Sequence, residues 1–102
     1  MENSSYIGTE LKFAVTIAAD GFDMETDDFE IIVKCKSKKV IYKKSDLLYD
    51  ENGDFHIAID TTIFPAGDLY AITYAYVPDS DFPDGIRTEV DQTRLITLKK
   101  TK

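Results

Sequence analysis

Apolar residues recur at every second position through most of this chain, and that rhythm limits its fold more than any other feature. Successive side chains of a strand point to opposite faces, so a period of two marks a strand with one face buried. From Leu11 to Ala19, Leu11, Phe13, Val15 and Ile17 share one face and Lys12, Ala14, Thr16 and Ala18 the other. Phe29, Ile31, Val33 and Cys35 repeat the pattern, with Glu30, Ile32 and Lys34 between them. Val40–Tyr42 is again extended, and Phe55, Ile57 and Ile59 alternate with His56 and Ala58. Between Leu69 and Val77, Tyr70, Ile72, Tyr74 and Tyr76 face one way and Leu69, Ala71, Thr73, Ala75 and Val77 the other. Neither face carries charge, which predicts a central strand. Ile86–Val90 and Arg94–Leu98 complete the set.

Turn residues punctuate these segments. Lys36-Ser37-Lys38-Lys39 reads as the polar turn of a hairpin, and Asp50-Glu51-Asn52-Gly53 as a tight turn, because Asn-Gly readily takes positive φ. Ser45–Tyr49 fits either one helical turn or a continued strand. Ile63-Phe64-Pro65-Ala66-Gly67-Asp68 is a corner, and Tyr70 just after it is the candidate for a tyrosine corner, with its ring in the core and its hydroxyl on backbone. Pro78–Gly85 is a long loop with two prolines and a glycine. No segment has helical period. The expectation is one all-β domain over residues 1–102: an antiparallel, immunoglobulin-like (fibronectin-like) sandwich of about seven strands, with 1–8 and 99–102 as loose ends.

At 102 residues, 43% of them hydrophobic, the chain can fill one core and not two. Its net charge of −7 repels polyphosphate, so no nucleic-acid partner is expected. No apolar run approaches a membrane span, and Met1-Glu2-Asn3-Ser4-Ser5 lacks the regions of a signal peptide. A soluble, cytoplasmic chain is expected, in which the Asn3-Ser4-Ser5 sequon is coincidental.

The inventory of reactive groups is short. Cys35 is the only cysteine and reads as a small core residue. His56 is the only histidine, mid-strand on the polar face, and reads as solvated. No enzyme activity, cofactor or metal is expected. The acidic run Asp20, Asp23, Glu25, Asp27, Asp28 and Glu30 lacks calcium-loop spacing and reads as a solvated loop. Asp79-Ser80-Asp81-Phe82-Pro83-Asp84-Gly85 comes closer, but its third carboxylate falls one residue late and Pro83 disrupts the loop geometry. A contact loop displaying Phe82 suits it better. Lys34, Lys36, Lys38, Lys39, Lys43 and Lys44 make a basic hairpin. Such lysines protect an edge strand from unwanted pairing, or else orient a partner. The candidate interaction residues are therefore Asp79, Asp81, Phe82, Asp84 and Arg87 in and beside the loop, with Lys36, Lys38 and Lys39 on the hairpin.

Gly8-Thr9-Glu10-Leu11-Lys12-Phe13-Ala14-Val15, followed by Asp28-Phe29-Glu30-Ile31-Ile32-Val33, resembles the N-terminal domain of phage baseplate upper proteins and related prophage tail modules. Pro65–Ile72 is similar to the penultimate core strand of that family. Ala75–Val90 is similar to a stretch in prophage and mobile-element proteins of gut bacteria. The resemblance implies a structural, protein-binding role in a tail-type particle, self-association included, and carries no catalytic residue. The other expectation is a carbohydrate-binding or adhesion module that stacks sugars on Tyr42, Tyr49, Tyr74 or Phe82.

Overall fold

The computed structural model describes residues 4–100. The chain forms β1 (Ser4–Tyr6), β2 (Glu10–Val15), β3 (Phe29–Cys35), β4 (Lys38–Lys43), β5 (Leu48–Tyr49), β6 (Phe55–Asp60), β7 (Gly67–Pro78) and β8 (Ile86–Lys99). Among the described residues there is no α-helix, only 3₁₀ turns at Lys44–Asp46 and Thr61–Ile63. The strands make two sheets, ordered β1-β8-β7-β3-β4 and β2-β6-β5. The all-β expectation holds, but the sheets are not wholly antiparallel, because β1 runs parallel to β8.

The alternation assigns most faces correctly. Phe29, Ile31, Val33 and Cys35 of β3 are buried, as are Phe55, Ile57 and Ile59 of β6 and Leu69, Ala75 and Val77 of β7. Leu11, Phe13, Val15 and Ile17 pack at the margin of this core, with Val40 and Tyr42 from β4. Phe22, Phe29 and Phe55 meet edge to face, with centroids 6.1 and 5.6 Å apart, and the Tyr49 ring lies 4.7 Å from that of Phe55. β7 is the middle strand of its sheet, as its uncharged faces predict.

Four expectations change. Ser4–Tyr6 is not loose, since its residues pair with Thr97, Leu98 and Lys99; residues 1–3, including Asn3 of the sequon, and 101–102 lie outside the described residues. Ser45–Tyr49 adopts both of its alternatives in turn, a 3₁₀ turn and then the two residues of β5. Ile86–Leu98 is one strand rather than two. Its register slips between Leu69 and Tyr70 of β7, where Leu95 is the extra residue on β8. That bulge lets Leu95 and Ile96 both reach the core.

The fourth change concerns Tyr70. It stands opposite Lys34 and Arg94, on the face of the sheet away from the core, and its ring is outside the core cluster. The tyrosine-corner assignment fails because Leu69, one residue earlier, takes the inward position after the corner. The corner is instead held by close approach. At Gly67, φ is +141° and a Cβ would sit 3.0 Å from the Lys36 stem and 3.3 Å from Cys35 Sγ. Across from it the β3–β4 hairpin turns through two residues, and Lys36 takes a φ of 55° that L residues adopt reluctantly.

One buried polar side chain ties the start of β2 to the end of β6. The Thr61 hydroxyl donates to the Thr9 carbonyl at 2.7 Å and accepts from the Gly8 N–H at 2.8 Å. Thr61 is fully buried, while its partners Gly8 and Thr9 are exposed, so both bonds sit at the edge of the core.

Candidate functional site

The cross-strand registers fix what the five-stranded sheet shows on its outer face. One row reads Ile41, Ile32, Ile72, Gln92 across β4, β3, β7 and β8. The next reads Lys43, Glu30, Tyr74, Val90, and the row on the other side Lys39, Lys34, Tyr70, Arg94. Beyond Tyr74 come Tyr76 opposite Thr88 and Pro78 opposite Ile86. Ile41 and Val90 are 57% and 58% exposed, and Ile32, Ile72 and the three tyrosines are half-buried by one another. No described segment lies across this face.

Two of its polar groups are bonded within the face. The Tyr76 hydroxyl donates to Glu30 Oε1 at 2.6 Å, and this bond, with some burial, pushes the phenol up to about 12. Asp68 accepts from the Thr97 hydroxyl and lies 3.4 Å from Arg94; its carboxyl falls below the usual range chiefly through the Thr97 bond. The middle of the face is therefore hydrocarbon and aromatic ring, with charge at its two ends.

The residues expected to interact do not form one site. Asp79, Asp81, Phe82 and Asp84 lie in the loop after β7, whereas Lys36, Lys38 and Lys39 lie at the β3–β4 turn beside the start of β7. A twelve-residue strand separates them, roughly 35 Å at about 3.3 Å per residue. The loop is tightly self-bonded. Asp79 N–H donates to Gly85 O at 2.9 Å, Gly85 N–H to Phe82 O at 2.9 Å, and Ile86 N–H to Asp84 Oδ1 at 3.1 Å. Arg87 donates to Asp79 at 2.6 Å, to Glu89 at 2.8 Å and to the Asp20 carbonyl at 2.8 Å, clamping this loop to the one after β2. Asp79 is held below its usual pKa by the Asp81 N–H and then by Arg87. Phe82 is 43% exposed, so the loop does display it, while its carboxylates Asp79 and Asp84 are occupied by the loop itself.

His56 differs from its expectation as a solvated side chain. Its Nε2 lies 2.8 Å from Asp50 Oδ2, and Asp50 also accepts from the N–H groups of Asn52 and Asp54, which lower its pKa together. The imidazole thus braces the Asn-Gly turn. Cys35 is buried with its thiol on the Pro65 carbonyl at 3.3 Å, and burial raises its pKa, which makes it a poor nucleophile. Among the described residues no group of three His, Cys, Asp or Glu side chains converges.

A concavity of about 660 Å³ lies beside β4 and β5 and is lined by Asp28, Glu30, Lys43, Leu47, Tyr49 and Phe55, among others. Lys44 closes one wall by donating to the carbonyls of Glu25 and Asp27.

Of the outer face, sequence reasoning singled out Tyr74 and Lys39 and missed the isoleucine row, although two signals mark it. Ile31-Ile32-Val33 places an isoleucine out of phase with the core positions, and the second uncharged face of β7 has no sheet over it. Comparison of the chain with protein-family models, with curated proteins and with solved structures finds no match in any of the three.

Proposed function

We propose that this chain is a non-catalytic, immunoglobulin-like protein-interaction module whose binding surface is the outer face of the five-stranded sheet. The observation that carries this reading is the uncovered apolar row of Ile41, Ile32 and Ile72, widened by Tyr74 and Val90. A contiguous patch of this kind is costly to leave in water and marks a contact surface. Aromatic and aliphatic residues at its centre and charge at its rim match the anatomy of protein interfaces.

Strand order supports the immunoglobulin-like assignment. The order β8-β7-β3-β4 corresponds to the G-F-C-C′ sheet of such domains, and β2-β6-β5 to B-E-D. The departure is β1, which pairs with β8 instead of β2. The resemblance of residues 8–98 to baseplate and prophage tail modules adds a role in a tail-type particle, where small sandwiches join larger parts.

Co-purification tests the reading. Tagged wild-type chain and a Lys12→Glu control on β2 retain the same partners from the source cells, and Ile41→Asp and Val90→Asp lose them. Partners kept by both face variants would refute it. The particle role requires the chain to sediment with tail-type particles, and a chain left in the supernatant counts against that part.

The cleft beside Tyr49 favours a second reading, a carbohydrate-binding module. It combines an aromatic ring with Asp28, Glu30 and Lys43 within saccharide-sized space. Heat on titration with oligosaccharides, abolished by Tyr49→Ala, supports it; a flat titration removes it.

A further inference from the structure

We infer that the outer face binds a second copy of this chain, related by a two-fold axis that lies in the interface and runs across the strands. The inference rests on the reading of that face as a protein-binding surface and adds the identity and orientation of its occupant.

The argument begins with charge. The ends of the long strands differ in sign. Where β3 and β8 begin and β7 ends, Asp20, Asp23, Glu25, Asp27, Asp28, Asp79, Asp81 and Asp84 outweigh Lys43, Lys44 and Arg87, and at the opposite end Lys34, Lys36, Lys38, Lys39 and Arg94 outweigh Asp68. Two faces stacked with their strands parallel would bring like ends together. Stacked antiparallel, each acidic end covers a basic one.

The registers give the same answer residue by residue. An axis along the Ile41–Ile32–Ile72 row brings each of these residues onto its own copy and exchanges the rows on either side. Lys34 of each chain then faces Glu30 of the other, two rungs along the same strand, and Tyr70 faces Tyr74. An axis along the strands instead stacks Lys39 of one chain near Arg94 of the other and leaves Glu30 facing Tyr74. The favoured arrangement also brings Lys39 toward Lys43; Lys34, Lys39 and Lys43 are all exposed, so water and salt weaken this repulsion and the Lys34–Glu30 attraction alike, and the opposite signs of the strand ends decide between the two axes. Sheet twist would tilt the strands by about 30° from strict antiparallel.

Size sets the strength. Four strands about 4.8 Å apart, over seven residues of about 3.3 Å, give a face of roughly 450 Å², or about 900 Å² for both copies. That is below the usual range for stable complexes, so the dimer is a weak one. Weakness of this order suits a module that closes contacts only where copies are concentrated.

Sedimentation velocity on the full chain from about 10 µM to 1 mM tests the inference. Wild type shifts from monomer to dimer over this span, and high salt raises the midpoint several-fold. Lys34→Glu sets two carboxylates against each other at both symmetric positions and raises the midpoint at least tenfold, as does Ile41→Asp on the axis. Lys34→Glu with Glu30→Lys in one chain restores the pair in reverse and returns the midpoint to within about threefold of wild type. Circular dichroism confirms that each variant folds. A monomer at every concentration overturns self-pairing while the face can still bind another protein, which the co-purification judges separately. A dimer unmoved by Ile41→Asp uses another surface and overturns the inference, and so does failure of the charge exchange to rescue.

Discussion

Replacing Thr61 by Val removes the two hydrogen bonds that pin the start of β2 while changing side-chain volume very little. The lost bonds, to Thr9 O at 2.7 Å and from Gly8 N at 2.8 Å, contribute about 1 kcal/mol each. The variant also leaves the Gly8 N–H and the Thr9 carbonyl without this partner, at a further cost of about 1 kcal/mol, since both residues are exposed and water replaces part of the loss. Against this, exchanging a hydroxyl for a methyl gains about 1 kcal/mol of apolar burial. The balance is a loss of about 2 kcal/mol, equivalent to roughly 10–15 °C in Tm for a domain of this size. Thr61→Ser keeps both bonds and loses one methyl, so it costs only about 1 kcal/mol. Urea unfolding followed by circular dichroism measures both, with an unchanged m-value showing that the same surface unfolds. Hydrogen exchange at the Gly8 amide, slow in wild type, speeds up in the valine variant alone. A valine variant within 0.5 kcal/mol of wild type, or a serine variant worse than the valine one, would refute the reasoning.

Tyr76 keeps its proton in the folded chain up to about 12, whereas an unfolded tyrosine loses it near 10. The folded state binds more protons between these values, so this contribution is intact below pH 10 and lost as pH rises through 12; Glu30→Gln moves the last phenolate transition, read by absorbance, back toward the others. Lys36→Gly relieves the positive φ of the β3–β4 turn at some entropic cost, and should raise stability by about 0.5 kcal/mol in the same urea assay.

How much of this molecule is legible in its sequence depends on whether a feature is local. The inward faces of β3 and β6 are, because alternation depends on residues two apart. The Asn52-Gly53 turn is legible too, and Gly53 takes the expected positive φ, 84°. β1 and β5 are not, because Ser4–Tyr6 and Leu48–Tyr49 have too few residues to show a period and become strands only through β8 and β6. Tyr70 misled because a Gly-containing corner followed by tyrosine looks alike whichever side the tyrosine takes. The loop and the lysine hairpin both lie on the surface, and the strand between them keeps them apart.

The outer face owes its composition to the bulge at Leu95. Ile96 and Leu98 point inward, and a regular strand continuing that phase would carry Arg94 and Gln92 into the interior along with Val90 and Ile86. Burying an arginine with no carboxylate waiting for it costs far more than two aliphatic side chains return. One extra residue reverses the phase. Arg94 and Gln92 come out, and Val90 and Ile86 necessarily come with them. Thr93, Asp91, Glu89 and Arg87 turn toward the side of β2, where that strand has ended or left an open margin, so their charges stay wet. The exposed valine and isoleucine are thus a consequence of keeping arginine and glutamine in water, and they extend an isoleucine row already present on β3, β4 and β7. The smaller sheet β2-β6-β5 packs on the inner side of this surface, and no described strand lies on its outer side.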